Sequence, residues 1–215
     1  MPAPNDRMRL LHTLAGVFPV GLFVLAHVIV QLGVLAGPAA YERAEIRLVA
    51  FALWPALEVV VLASLAFYVL YGVRLSFARA PRDGWYVGRD GLHLTQRVAG
   101  GIALAFLGVH LVTLRGARAR GDLGLGDLHG AMVRALSSTA IGVPFAALGY
   151  IVGVAACAVF FANALASFVF ATGVASSPRR VRVLGAACAV FGAALFLAGT
   201  DAVVMLATGS RHFWR

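Results

Sequence analysis

Two of the six histidines, His27 and His110, stand deep within long apolar stretches. An ionisable side chain in that setting is costly and calls for a partner. With each stretch read as a helix rising 1.5 Å per residue, His27 lies ~22 Å beyond His12, and His110 lies ~25 Å beyond His93. If the two helices run in the same direction, both imidazoles reach one depth, toward the face opposite the N-terminus. Two imidazoles on facing helices at one depth can clamp a b-type haem iron from both sides. The alternative is that each hydrogen-bonds a neighbouring helix and holds no metal.

Two of the nine acids, Glu58 and Asp201, also fall inside apolar runs, in the same half as His27 and His110. Each could relay protons, hydrogen-bond a quinone ring or orient an axial imidazole. Each could equally be a protonated acid bridging two helices. His12 and His93 stand near the boundary on the N-terminal side. There, His12, Gln96 and Arg97 are donors suited to a quinone head group, and to phospholipid as well. His129 and His212 are expected in solvated loop and tail. No nucleophile–base pair, phosphate loop or metal-protease spacing is present, which argues against a hydrolase or nucleotide-binding enzyme.

The elements that must position these residues follow from hydropathy. The chain has 215 residues, 61% of them hydrophobic and 13% charged, with mean hydropathy +0.88. A soluble domain of this size cannot hide that much apolar surface. Five stretches are long enough to cross a bilayer: 12–35, 47–77, 94–114, 137–172 and 183–208. The fold class is therefore all-α, an integral membrane bundle of five transmembrane helices forming one domain, 1–215. Pro19, Pro55 and Pro144 are expected inside helices one, two and four. Gly16, Gly21, Gly100, Gly101 and Gly108 are expected to let helices approach closely. The connections 36–46, 78–93, 115–136 and 173–182 are short; Trp85 and Tyr86 suit an interface, and 115–127 is glycine-rich and reads as irregular.

All 18 basic residues are arginine, and the formal charge is +9. The arginines cluster between the apolar runs, as membrane topology requires, and form no nucleic-acid-binding face. Ten lie on the N-terminal side, which the positive-inside rule then assigns to the cytoplasm. Cys157 and Cys188 fall on different apolar segments and read as small buried hydrophobes. The first apolar run is too long for the core of a cleavable signal peptide.

Together these stretches resemble a known family, the five-helix b558-type cytochrome b subunit of succinate dehydrogenase and fumarate reductase. The likeness rests on Leu11-His-Thr-Leu-Ala-Gly-Val-Phe-Pro-Val-Gly-Leu-Phe23 with His27 downstream, on Leu57-Glu58, and on Tyr71-Gly72. It continues through Gln96-Arg97-Val-Ala-Gly100 with His110, Tyr150-Ile-Val-Gly-Val154 and Asn163-Ala-Leu-Ala-Ser-Phe168. The resemblance implies two b haems with an axial histidine on each of helices one to four. His27 and His110 match the pair that holds the haem distal to the soluble subunits. The other pair should stand at Tyr68 and Phe160, where phenylalanine cannot bind iron and tyrosine alone is a poor substitute. The expectation is one haem b, at the distal site.

The resemblance further implies a membrane anchor of a succinate:quinone oxidoreductase, in electron transport and the tricarboxylic acid cycle. It would bind a quinone, menaquinone by type, and dock a flavoprotein and an iron–sulfur protein on the cytoplasmic face of a bacterial inner membrane. Loops 78–93 and 173–182 could join that contact. The same architecture serves quinol:fumarate reduction in the reverse direction. A haem-free scaffold is the alternative from another class; a solute transporter finds no supporting repeat.

Overall fold

A computed structural model of the chain describes residues 4–77, 89–173 and 177–210. It is all-α, with no strand among the described residues. Five helices are long and apolar enough to cross a membrane: Leu10–Ala36, Trp54–Arg74, Thr95–Ala119, Phe145–Val169 and Pro178–Thr208. Trp85, Tyr86 and His212 lie outside the described residues, as do the arginines at 79 and 82 and the side chain of His93.

The first span is composite: α1 (Pro4–Ala15), a π-helical turn at Gly16–Val20, α2 (Gly21–Gln31) and a 3₁₀ turn at Leu32–Ala36. Pro19 causes the widening. It has no N–H to return to Ala15, and its ring crowds that carbonyl, so the turn opens to i→i+5 spacing.

The second span begins later than the expected residue 47. Residues 38–49 form a separate helix, α3 (Pro38–Val49), and α4 runs Trp54–Phe77. Gly37 (φ 104°, ψ 169°) and Pro38 start α3 with a positive-φ extended conformation open to glycine and a pre-set φ. Pro55 cannot donate back toward Phe51, so the chain breaks at 50–53 and restarts with Pro55 in the first turn. The expected 36–46 connection is therefore mostly helix.

The third span is one helix, α5 (Arg89–Ala119), longer than 94–114 and carrying both Arg115 and Arg118. Residues 115–119 of the stretch expected to be irregular, 115–127, therefore belong to α5, and a further helix, α6 (Leu128–Ser137), follows that stretch within the connection. Span four, α7 (Phe145–Ala171), starts eight residues after the expected 137. An exposed turn intervenes, with Ala140 and Val143 exchanging two 3.0 Å backbone bonds around Ile141 (φ 51°) and Gly142 (φ 78°). Pro144 thus precedes α7 instead of lying inside it. Span five, α8 (Pro178–Thr208), opens earlier than 183 because Ser177 caps it and Pro178 takes its first position.

α7 lies between α5 and α8 and meets them through small buried residues, among them Gly153, Ala156, Ala158, Ala162 and Ala164. Of the expected glycine contacts, Gly16, Gly21 and Gly100 do face neighbouring side chains. Gly101 and Gly108 face open space, so they bring no helix closer.

The densest core sits at the far end, away from the N-terminus. Val34, Tyr41, Leu123, Leu128, Met132, Leu136, Ala147 and the α8 residues Ala202, Val203 and Leu206 pack together there. α3 and α6 thus form a cap over that end. Leu136 is fully buried, so Leu136→Ala should cost about 2–5 kcal/mol. A lowered thermal midpoint of the detergent-solubilised protein, without loss of helical signal at 20 °C, is the outcome to measure.

Candidate functional site

α2 and α5 bring the His27 and His110 rings to 6.0 Å between centroids, 81° between planes. Both side chains are half-buried. Two metal–imidazole bonds of about 2 Å each, plus the two ring radii, span roughly the same distance. That separation leaves room for a metal between the two rings; among the described residues no group of three or more His, Cys, Asp or Glu side chains gathers there.

The walls are aromatic. Phe23, one turn before His27, stacks on it at 5.6 Å and meets Trp54 of α4 at 6.3 Å. Phe106, one turn before His110, stacks on it at 5.6 Å and sits over the bare backbone of Gly153 on α7. Tyr150 of α7 places its hydroxyl 3.1 Å from His110 Nδ1.

Glu58, one turn after Trp54, is half-buried and forms an ion pair with Arg115 of α5. Sequence reasoning assigned Arg115 to a loop and so missed this partner; the continuation of helical character past residue 114 was the available signal. Asp201 is fully buried on α8, beside the Ala202 and Val203 of the far-end core.

The cap adds polar pairs that the sequence did not reveal. The buried Tyr41 hydroxyl donates to Gln31 Oε1 at 2.6 Å, and burial pushes its phenol well above the usual tyrosine range. Glu45, itself buried, pairs with Arg118. The backbone N–H of His129 donates to Glu42 Oε1 at 2.6 Å. His129 is thus not a solvated loop residue: it opens α6, half-buried, its ring 5.9 Å from Tyr41.

The near half is arranged differently. The His12 ring stacks on Tyr68 at 4.3 Å, and its Nε2 donates to the Tyr68 carbonyl at 3.1 Å. Tyr68 in turn meets Phe160 edge-on at 5.5 Å. A Cβ on Gly16 would come within 2.5 Å of the Tyr68 ring, and one on Gly100 within 3.0 Å of the Phe160 ring. Tyr68 and Phe160, where the family resemblance leads one to expect a second ligand pair, therefore fill glycine notches in helices one and three. Gln96 is half-buried and Arg97 exposed, and His12 is turned to α4.

No family model and no solved structure matches the chain. It is similar to the succinate dehydrogenase cytochrome b558 subunit of Bacillus subtilis (strain 168), with 32% identity over 198 residues. The match covers 91% of this chain and 94% of that protein.

The notch at Gly16 makes a direct prediction. Gly16→Ala should destabilise the protein by about 1–3 kcal/mol through collision with Tyr68, whereas Gly101→Ala, facing open space, should not. Paired thermal denaturation of the two variants in detergent reads the difference.

Proposed function

The chain belongs to the succinate dehydrogenase cytochrome b558 subunit family, and on that premise we propose that it is the one-haem membrane anchor of a succinate:quinone oxidoreductase. The observation that carries this reading is the 6.0 Å approach of His27 and His110. When bound there, a b haem supplies a one-electron iron couple. The residues of the chain provide the rest. His27 and His110 offer their ring nitrogens, and Phe23, Phe106 and Trp54 exclude water from them. Tyr68 and Phe160, packed against Gly16 and Gly100, take up the space a second haem would need.

In this reading, a flavoprotein and an iron–sulfur protein dock on the N-terminal, cytoplasmic side of a bacterial inner membrane, and the whole chain acts as one domain. Succinate chemistry belongs to those partners. Quinone, of the menaquinone type, binds on the same side near Gln96, Arg97 and His12. The gap left at Tyr68 and Phe160 makes that near site the direct electron acceptor, with the distal haem structural or a side branch. Glu58 and Asp201 are the proton-relay candidates at the far end.

A reduced-minus-oxidised spectrum with haem quantified per chain tests the haem assignment. One low-spin b haem is expected, lost in His27→Ala and in His110→Ala. Two haems per chain would overturn the missing-ligand argument, and none would leave a haem-free scaffold.

The same assay probes the near half in the opposite direction. Tyr68→His combined with Phe160→His restores an imidazole pair where the rings now stand 5.5 Å apart. The double variant should rise from one haem toward two, with each single variant staying at one.

A further inference from the structure

We infer that Tyr150 is the positioning residue for His110: its hydroxyl accepts the Nδ1 proton of that imidazole, turns Nε2 toward His27 and tunes the strength of His110 as a ligand. This rests on the haem reading given above.

A neutral imidazole has one protonated and one bare nitrogen, and the partner of one fixes the task of the other. His110 Nδ1 lies 3.1 Å from the Tyr150 hydroxyl. With Nδ1 engaged, Nε2 is the nitrogen left for a metal. A nitrogen that binds metal carries no proton, so Nδ1 must carry it and donate to the tyrosine oxygen. The tautomer thus follows from which helix lies behind the ring.

The surrounding packing allows little rotation. Phe106 stacks on one face of His110 at 28° between planes and meets Tyr150 edge-on at 5.2 Å. Phe106 is itself lodged against Gly153, which stands three residues after Tyr150 and so on the same face of α7. α7 therefore presents a hydroxyl and a notch side by side, one for the imidazole and one for the ring stacked on it. A hydroxyl in an apolar helix needs such a bond, since an unbonded one is penalised in hydrocarbon.

A hydrogen bond from Nδ1–H raises the basicity of the opposite nitrogen. A more basic ligand stabilises the ferric over the ferrous iron and lowers the midpoint potential. Loss of the acceptor should therefore raise that potential. It should also let the ring settle at a new angle, which alters the low-spin electron paramagnetic resonance signal.

The test uses the full complex in native membranes, comparing wild type, Tyr150→Phe and Tyr150→Gln. Haem per chain, redox titration and the low-spin signal are read for each. Tyr150→Phe should show a raised midpoint potential and a shifted signal, with haem held roughly 10–100-fold less tightly. Tyr150→Gln, whose side-chain oxygen can still accept, should return both readouts toward wild type. Loss of haem in Tyr150→Phe but not in Tyr150→Gln would support the same role. Tyr150→Phe with wild-type potential and signal would overturn it, as would equal loss of haem in both variants, which points to packing alone. A haem-free wild type would overturn the haem reading itself, and the Tyr150 assignment with it; a wild type holding one haem confines any failure to Tyr150.

Discussion

A polar side chain in hydrocarbon can be satisfied only by another part of the protein. Among the described residues that constraint is met by gathering most of the polar side-chain pairs at one end. Tyr41 with Gln31, Glu45 with Arg118, Glu42 with the His129 amide, Glu58 with Arg115 and His110 with Tyr150 all lie in the far half. The extension of α5 past the expected boundary is what makes this possible. Its last turns carry Arg115 to α4 and Arg118 to α3, so one helix ties a membrane span and a cap helix to the same end. The cap then contributes Leu128, Met132 and Leu136 to an apolar cluster over these pairs.

The near half solves its problem by steric means. Tyr68 and Phe160 are large rings placed opposite glycines on the facing helices, and His12 lies flat on Tyr68 with its one ring donor used on a backbone carbonyl. Ring on glycine is close packing that requires no buried charge. Among the described residues the two halves therefore differ in emphasis: the far half holds imidazole, carboxylate and guanidinium groups in pairs, while the near half, His12 apart, interlocks rings with glycine backbone. Tyr68 and Phe160 occupy volume between the helices as well as presenting no imidazole.

The five spans were legible because about twenty apolar residues in a row have few other uses. The shared depth of His27 and His110 was legible too, since a helix converts residue number into height. Side-chain partners were not. Arg115 lay beyond the apolar stretch, so nothing in hydropathy joined it to Glu58. α3 and α6 are amphipathic and short, and their boundaries depend on Gly37, Pro38, Pro55 and the turn at Ile141, which act through backbone geometry and leave no mark on hydropathy. The glycines divide for a related reason. Gly16 and Gly100 face aromatic rings while Gly101 faces open space, and a lone sequence does not tell which way a glycine points.

Pro19 links the two halves. His12 and His27 are fifteen residues apart, which at about 100° per residue leaves them ~60° apart around a regular helix. The π-turn at Gly16–Val20 accommodates roughly one residue more than an α-turn, so everything beyond it is rotated back by about 100°. Before the turn, His12 addresses α4; after it, His27 addresses α5. An unbroken helix would carry His27 about 1.5 Å further along the axis and turn its bearing by about 100°, and the bearing is the larger change for whether it meets His110. The proline that widens the first span thus sets the geometry of the imidazole pair from two turns away. Gly16, in the same widened turn, admits Tyr68 to the helix backbone. One local irregularity serves the filled half and the paired half together.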